Sequence, residues 1–398
     1  MCLRPRLIKN RSAYRSHGMR EFIRVPCGHC SECIAQKKES LLQRNYMEFR
    51  YLRDHCPDSF AYWQTLTYDD EHLPKDSVFN YKDVSDFLKR LRSALKYHRS
   101  IGYFKYFYVS ELGETTLRAH YHIIFYVRSI DFEFFDSLVR SCWQNGFVDT
   151  PFYAKMHILT DISGIRYLLK YLYKELGVSS DSDSDKIFTK FRCSANLGYY
   201  PSYYDYTQDI SIPSAKGFEN HHIGSYFLNK MCYEYRTDDN GQVKKTLAGS
   251  YMRQISEFGI EWKISHLPEI LDSVSRQIKS KVDHLKDKHK IDFYNLLGNR
   301  PFMDFVKYIY FYHGRTLGFD HFIFDLRYPE QFLRDIYEYN RKMHHIGFFG
   351  NRKLDETYES AFAHFDIMYS YLYDSDFQNT KDSENINNYK SINRLKKC

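Results

Sequence analysis

The sequence predicts an α+β protein: an antiparallel sheet of the split βαβ, ferredoxin-like type with one added helix, followed by a mostly helical C-terminal region. Three observations predict it. Runs rich in aromatic and β-branched residues at 60–68, 103–111, 120–127 and 147–159 read as strands. Apolar residues recurring every three or four positions over 82–98, 131–144 and 162–176 read as helices. Their chain order, β-α-β-β-α-β-α, is the order of that fold.

Each element has its own justification. A first helix over 36–54 repeats Leu42, Tyr46, Phe49 and Leu52 and stops at Cys56-Pro57-Asp58. The strand FAYWQTLTY (60–68) follows, then a helix with Val84, Phe87, Leu88, Leu91 and Leu95 on one face, closed by Gly102. The strands YFKYFYVSE (103–111) and HYHIIFYV (120–127) are joined by the polar LGETTLRA and read as a hairpin. Phe135, Leu138, Val139, Cys142 and Trp143 are in helical register, and after Asn145-Gly146 comes a strand interruptible at Pro151. Asp161 can cap the last helix, whose stripe is Ile165, Leu168, Leu169, Leu172 and Leu176. A sheet of this kind can carry helices on one face and leave the other for a ligand.

Further on, SSDSDSDK (179–186) reads as an acidic loop, and 187–250 is Tyr-rich without a clear period. Residues 269–290 read as a helix with Leu271, Val274, Ile278, Val282 and Leu285 inside and Arg276, Lys279, Lys281, Lys286, Lys288 and Lys290 outside. The expected organisation is a basic Cys-rich module at 1–54, a catalytic domain at 55–178, a loop-rich extension at 179–250, a mainly helical region at 251–373, and a disordered tail at 374–398.

Composition narrows the function classes. A hydrophobic fraction of 43% excludes global disorder. No apolar run approaches the roughly 18–20 residues of a membrane span, and the start MCLRPRLIKNR has no apolar signal core, so a soluble cytoplasmic protein is expected. The net charge of +7 is unevenly placed: residues 1–53 hold twelve Lys and Arg against four Glu, so the rest is close to neutral. Such a segment attracts a polyanion such as nucleic acid, although a solvated face has the same composition.

Three constellations carry chemistry. In His120-Tyr121-His122 both imidazoles fall on one face of a strand and can share a divalent ion; with 18 His, roughly 0.8 such pairs are expected by chance, so context decides. The neighbouring strand ends in Glu111, a third ligand across the ladder, with Glu114 as its competitor; mixed imidazole and carboxylate donors suit Mn2+ at least as well as Mg2+. The second is RYLLKYLYK (166–174), where Tyr167 and Tyr171 are each followed three residues later by Lys170 and Lys174. In an ideal α-helix both Tyr lie well away from the apolar stripe, roughly 150° and 110° from its centre, so neither needs to be core. A phenol with pKa near 10 is about 4 kcal/mol short of a free phenolate at pH 7. A divalent ion on a phosphodiester oxygen, with a nearby ammonium, would assist its attack on phosphorus. The third is Cys27-x2-Cys30-x2-Cys33, with Cys2 available as a fourth thiolate and His29 as a substitute. Structural zinc, an iron–sulfur cluster and free thiols are the alternatives. Within the basic segment, a zinc-ordered module gripping DNA phosphates is the natural hypothesis.

Thr65 and Thr67 share a face, explained by β-propensity or by DNA contact, and LGYYPSYYDY (197–206) is either packing or a base-stacking surface.

The set TLTYDDEHLP (65–74), SELGETTLRAHYHIIF (110–125) and YLLKYLYK (167–174) resembles the three motifs of HUH endonucleases that initiate rolling-circle replication, above all those of microvirus-type (gokushovirus-like) single-stranded DNA phages. MCLRPRLIK (1–9) and VPCGHCSEC (25–33) also resemble that group, RCSANLG (192–198) more loosely. The resemblance implies metal-dependent nicking of one origin strand, single-stranded or supercoiled, with a 5′-phosphotyrosine at Tyr167 or Tyr171 and a 3′-hydroxyl for priming. It implies His120 and His122 as ligands, Glu111 as the upstream acid, the cytoplasm of a bacterial host, and host helicase and polymerase as partners. Ala119 departs from relatives that carry Pro there. Two rivals stand beside it: a non-catalytic zinc-containing nucleic-acid-binding protein on the same sheet, and a metal-dependent hydrolase with both Tyr as bystanders.

Overall fold

The computed structural model describes residues 2, 5–9, 22–74, 79–113, 118–148, 158–173, 191–238, 240–245, 251, 253–313, 328–346 and 356–373, with 383, 384 and 387. The chain divides into two compact units, Met1–Cys33 with Leu228–Cys398, and Ile34–Phe227.

Near the N-terminus β1 (Arg6–Lys9) pairs antiparallel with β2 (Phe22–Val25), and α1 spans Ser31–His55. Next come β3 (Ser59–Tyr68), α2 (Tyr81–Tyr97), β4 (Tyr103–Leu112), β5 (Ala119–Arg128), α3 (Phe132–Cys142) and β6 (Gly146–Val148). After α4 (Ser163–Leu168) and a 3-10 turn over Leu169–Tyr173 follow β7 (Phe191–Cys193), the hairpin β8 (Ile210–Ser214) and β9 (Gly217–His221), and α5 (Ser225–Met231). The strand order in the main sheet is β6-β3-β5-β4-β7, with every neighbouring pair antiparallel. β3 and β4, joined by α2, therefore run parallel with β5 between them, and the fold is α+β around a five-stranded antiparallel sheet.

Register decides what each face carries, because a slip of one residue would exchange the faces. Tyr62, Leu66 and Tyr68 of β3, Tyr108 of β4, and Tyr121, Ile123 and Phe125 of β5 pack with Val84, Phe87, Leu88 and Leu91 of α2 and Phe135, Leu138 and Val139 of α3. Burying each large apolar side chain contributes about 1.5–3 kcal/mol, so this layer fixes the register. The opposite face then presents Thr65 and Thr67, His120 and His122, and Val109 and Glu111.

That second face is not left open as the alternation alone suggests. Asn45 of α1 accepts from Tyr126 Oη at 2.8 Å, and the buried Glu48 accepts from Lys105 Nζ at 2.8 Å, Tyr200 Oη at 2.5 Å and the Gly198 N–H at 2.7 Å. Tyr51 stacks on Tyr200 with ring centroids 3.6 Å apart, under the Arg128 guanidinium. Gly198 has φ +73 and lies directly against the Arg44 carbonyl, where a Cβ has no room. Much of the Tyr-rich segment is thus packing: Tyr206 is buried, stacks on Phe227 and donates to the Gly198 carbonyl at 2.6 Å.

Other expectations are refined. α2 ends at Tyr97, with Arg99 left-handed at φ 53, and Gly102 instead gives room to the Arg128 and Ser129 carbonyls. The strand expected at 147–159 is seen as β6 and as an isolated bridge from Ile158 to Tyr62; 149–157, the acidic loop at 179–186 and nearly all of 374–398 lie outside the described residues.

In the other unit, β10 (Tyr233–Tyr235) pairs with β11 (Arg253–Ile255), followed by α6 (Glu257–Ser265), α7 (Leu267–His289), α8 (Phe293–Leu297), α9 (Phe302–Tyr308), a π turn (Ile309–His313), α10 (Pro329–Ile346) and α11 (Glu356–Tyr371). Leu271, Ile278, Val282 and Leu285 of α7 are core, packed with Phe305, Tyr308, Leu333 and Phe365. Lys281 is buried rather than outside, with Nζ 4.6 Å from the Tyr373 ring, so its cation is held on an aromatic face. Among the described residues no helix is long and apolar enough to cross a membrane.

Candidate active site

β3, β4 and β5 carry the polar end of the second face. Thr65 pairs with His122 and Thr67 with His120, and each hydroxyl reaches the Nδ1 of its cross-strand His: Thr65 Oγ1 to His122 at 3.0 Å, Thr67 Oγ1 to His120 at 2.9 Å. With Nδ1 engaged, Nε2 is the nitrogen each ring turns to another partner. In His122 that partner is Glu111 Oε2 at 2.8 Å, across the diagonal of the β4–β5 ladder. Both side chains are largely buried.

Two ligands side by side on one octahedral ion, at bond lengths of about 2.1 Å, lie about 3.0 Å apart, so the His122–Glu111 pair already has the spacing a divalent ion needs. His120 stands further off. Among the described residues only the four cysteines bring three or more ligand atoms within 4.8 Å of one another. The donor set therefore fits Mn2+ or Mg2+ in chemistry and orientation, with His120 held back by its bond to Thr67. Glu114 and Lys174 lie outside the described residues.

α4 places the tyrosines over this face. Asp161 accepts the Ser163 N–H at 2.7 Å at its start. The helix expected to run as one α-helix to 176 turns into a 3-10 turn at Leu169. Three steps of about 120° instead of 100° carry Tyr171 about 60° further round, toward the sheet. Tyr171 is accordingly buried, at 8% exposure, whereas Tyr167 is 42% exposed, so the expectation that both lie outside the core holds for Tyr167 alone. The Tyr171 ring stacks on His122 with centroids 4.8 Å apart and planes 9° from parallel, and its hydroxyl donates to Tyr167 Oη at 3.0 Å. Burial, that bond and the Glu111 carboxylate push the Tyr171 phenol well above its ordinary pKa. Tyr167 lies against Trp63 at 5.4 Å, and Lys170 Nζ is 5.2 Å from its ring.

A brace that the sequence pattern did not reveal fixes α4. Arg166 donates to Glu219 Oε2 and to the Pro213 carbonyl, both at 3.0 Å, tying the helix to the β8–β9 hairpin. The signal was one charged residue on each of two segments 53 positions apart, which no local period exposes.

The four cysteines form a separate group in the other unit, with Cys2, Cys30 and Cys33 buried. Bonding from Cys2 holds the Cys27 thiol far below its ordinary value, while Cys2 and Cys33 are pushed up, because four crowded thiols cannot all ionise by themselves. His29 is exposed and joins this group only through its backbone N–H, not as a substitute ligand.

Comparison with known proteins places the same residues in one matched span. Residues 61–176 match the model of a family described as replication-associated protein ORF2. Over 187 residues the chain is 28% identical to replication-associated protein ORF4 of Chlamydia phage 1, covering 43% of each chain. It is 24% identical to replication-associated protein ORF2 of Spiroplasma virus 4 over 237 residues, 54% of this chain and 69% of that one. With replication-associated protein VP4 of Bdellovibrio phage phiMH2K the identity is 25% over 279 residues, 66% and 74% of the two chains. The chain thus spans less than half the length of the Chlamydia phage protein. No solved structure matches the chain. The resemblance to microvirus-type replication initiators, carried first by short motifs, is shown by these matches.

Proposed function

We propose that this chain initiates phage DNA replication by nicking one strand of an origin through tyrosine attack on phosphorus, on an HUH-type ferredoxin-like sheet. The observation that carries the reading is the stack of Tyr171 on His122 beside Glu111, with Tyr167 bonded to Tyr171. The replication-associated relatives and the split βαβ strand order support it.

Tyr167 is the first nucleophile in this reading. It is exposed, its oxygen accepts the Tyr171 hydroxyl, and Lys170 lies beside its ring, so two neighbours favour negative charge on it. Its Oη bonds to the scissile phosphorus as the P–O3′ bond breaks; the phenolic proton passes to solvent and the departing oxygen takes one up as a 3′-hydroxyl. The 5′ end is left as phosphotyrosine. Tyr171, hydrogen-bonded to Glu111, can give its proton to that carboxylate in a second transesterification. His120, His122 and Glu111 would hold a divalent cation, which would polarise the phosphodiester oxygen and offset charge on the phosphate. Thr65 and Thr67 keep Nε2 of each ring turned to that position. Host helicase and polymerase are the partners that would extend the freed 3′ end.

Incubating the protein with labelled single-stranded origin DNA and Mn2+ or Mg2+ tests this. A covalent adduct supports the proposal. Cleavage without an adduct indicates hydrolysis by activated water, and binding without cleavage indicates a nucleic-acid-binding protein.

A further inference from the structure

The Cys cluster plays no part in that chemistry, and its geometry is specific. Cys2 and Cys27 Sγ are 3.5 Å apart, Cys2 and Cys30 3.9 Å, and Cys27 and Cys33 3.9 Å. A disulfide would require about 2.05 Å. Four thiolates around one tetrahedral zinc, with Zn–S of about 2.3 Å, lie about 3.8 Å from one another. The observed separations fall on that edge length. A cluster of several irons would occupy more space between the sulfurs and hold them further apart.

The local chain is built to carry negative sulfur. Gly28, at φ 84, turns the backbone so that the His29 and Cys30 N–H groups donate to Cys27 Sγ at 3.4 and 3.3 Å. The Cys27 N–H donates to Cys2 Sγ at 3.3 Å. Cys30 immediately precedes α1 and Cys33 lies in its first turn, where the positive end of the helix dipole favours thiolate. We propose that Cys2, Cys27, Cys30 and Cys33 bind one zinc ion as four thiolates, in a closed structural site. All four positions are filled by protein, leaving none for substrate or water. The ion would tie residue 2, 25 positions away in sequence, to the turn between β2 and α1.

Elemental analysis of the full-length protein after desalting should find about one zinc per chain, released when a mercurial modifies the thiols. Replacing zinc with Co2+ in the wild-type chain should give the intense thiolate-to-metal bands of a tetrahedral site, a readout that needs no variant to fold. Cys30→Ser should lose the metal, whereas Cys56→Ser and His122→Ala should keep it. Iron in place of zinc, a metal-free native protein, a non-tetrahedral cobalt spectrum, or zinc retained in Cys27→Ser/Cys30→Ser would each overturn the assignment.

Discussion

The chain holds two groups of ligand-type residues, and they are built in opposite ways. Four cysteines converge on one another, with separations already set for an ion and backbone N–H groups supporting the sulfurs. The two histidines and Glu111 are instead engaged with side chains that have their own tasks: Thr65 and Thr67 at Nδ1, Tyr171 on the face of His122, and Glu111 shared by His122 and Tyr171. A closed set of identical soft donors suits permanent occupancy. A mixed, partly engaged set beside two phenols suits an ion that must leave room for substrate.

The comparison breaks most visibly at its ends. His122→Ala should lower single-turnover nicking about 1000-fold or more while leaving DNA binding by filter retention and the zinc content unchanged; parallel loss of binding would make the histidine structural. Removing zinc, by contrast, should act on folding: Cys30→Ser should lower the thermal midpoint of the unit formed by 1–33 and 228–398 and leave the nicking rate per folded molecule nearly intact. Thr65→Val and Thr67→Val should each reduce nicking about 10–100-fold and raise the Mn2+ concentration for half-maximal rate, since they orient ligands rather than supply them. An unchanged metal requirement would count against that role. For the two tyrosines, Tyr167→Phe should slow the first nick more than Tyr171→Phe, and the reverse order would reassign the first nucleophile. Smallest of all, Arg166→Ala should cost no more than about 1 kcal/mol, because its bridge to Glu219 is half exposed, with a few-fold loss of nicking.

These differences also explain what could be read from the chain beforehand. The strands were legible because one face had to be aromatic and buried, which also forces His120, His122 and Glu111 onto the other face. Convergence of Cys2 on the CxxCxxC run was legible from residue chemistry. The burial of Tyr171 was not, because it depends on a change of helical pitch at Leu169 that propensity does not mark. Nor was the covering of the second face by Glu48, Tyr51 and Tyr200, where a buried carboxylate is made tolerable by partners more than 50 positions away. Lys281 escaped for the same reason, since a lysine on an amphipathic helix reads as solvent-facing until its aromatic partner is known.

The central claim is that a tyrosine of α4 becomes covalently joined to DNA. Mass spectrometry of protein digested after reaction with origin DNA and Mn2+ reads this directly. A nucleotide 5′-phosphate carried on Tyr167 in the first turnover is the predicted result. Cleaved DNA with every peptide unmodified, or a nucleotide on a tyrosine outside α4 and its 3-10 extension, would contradict it.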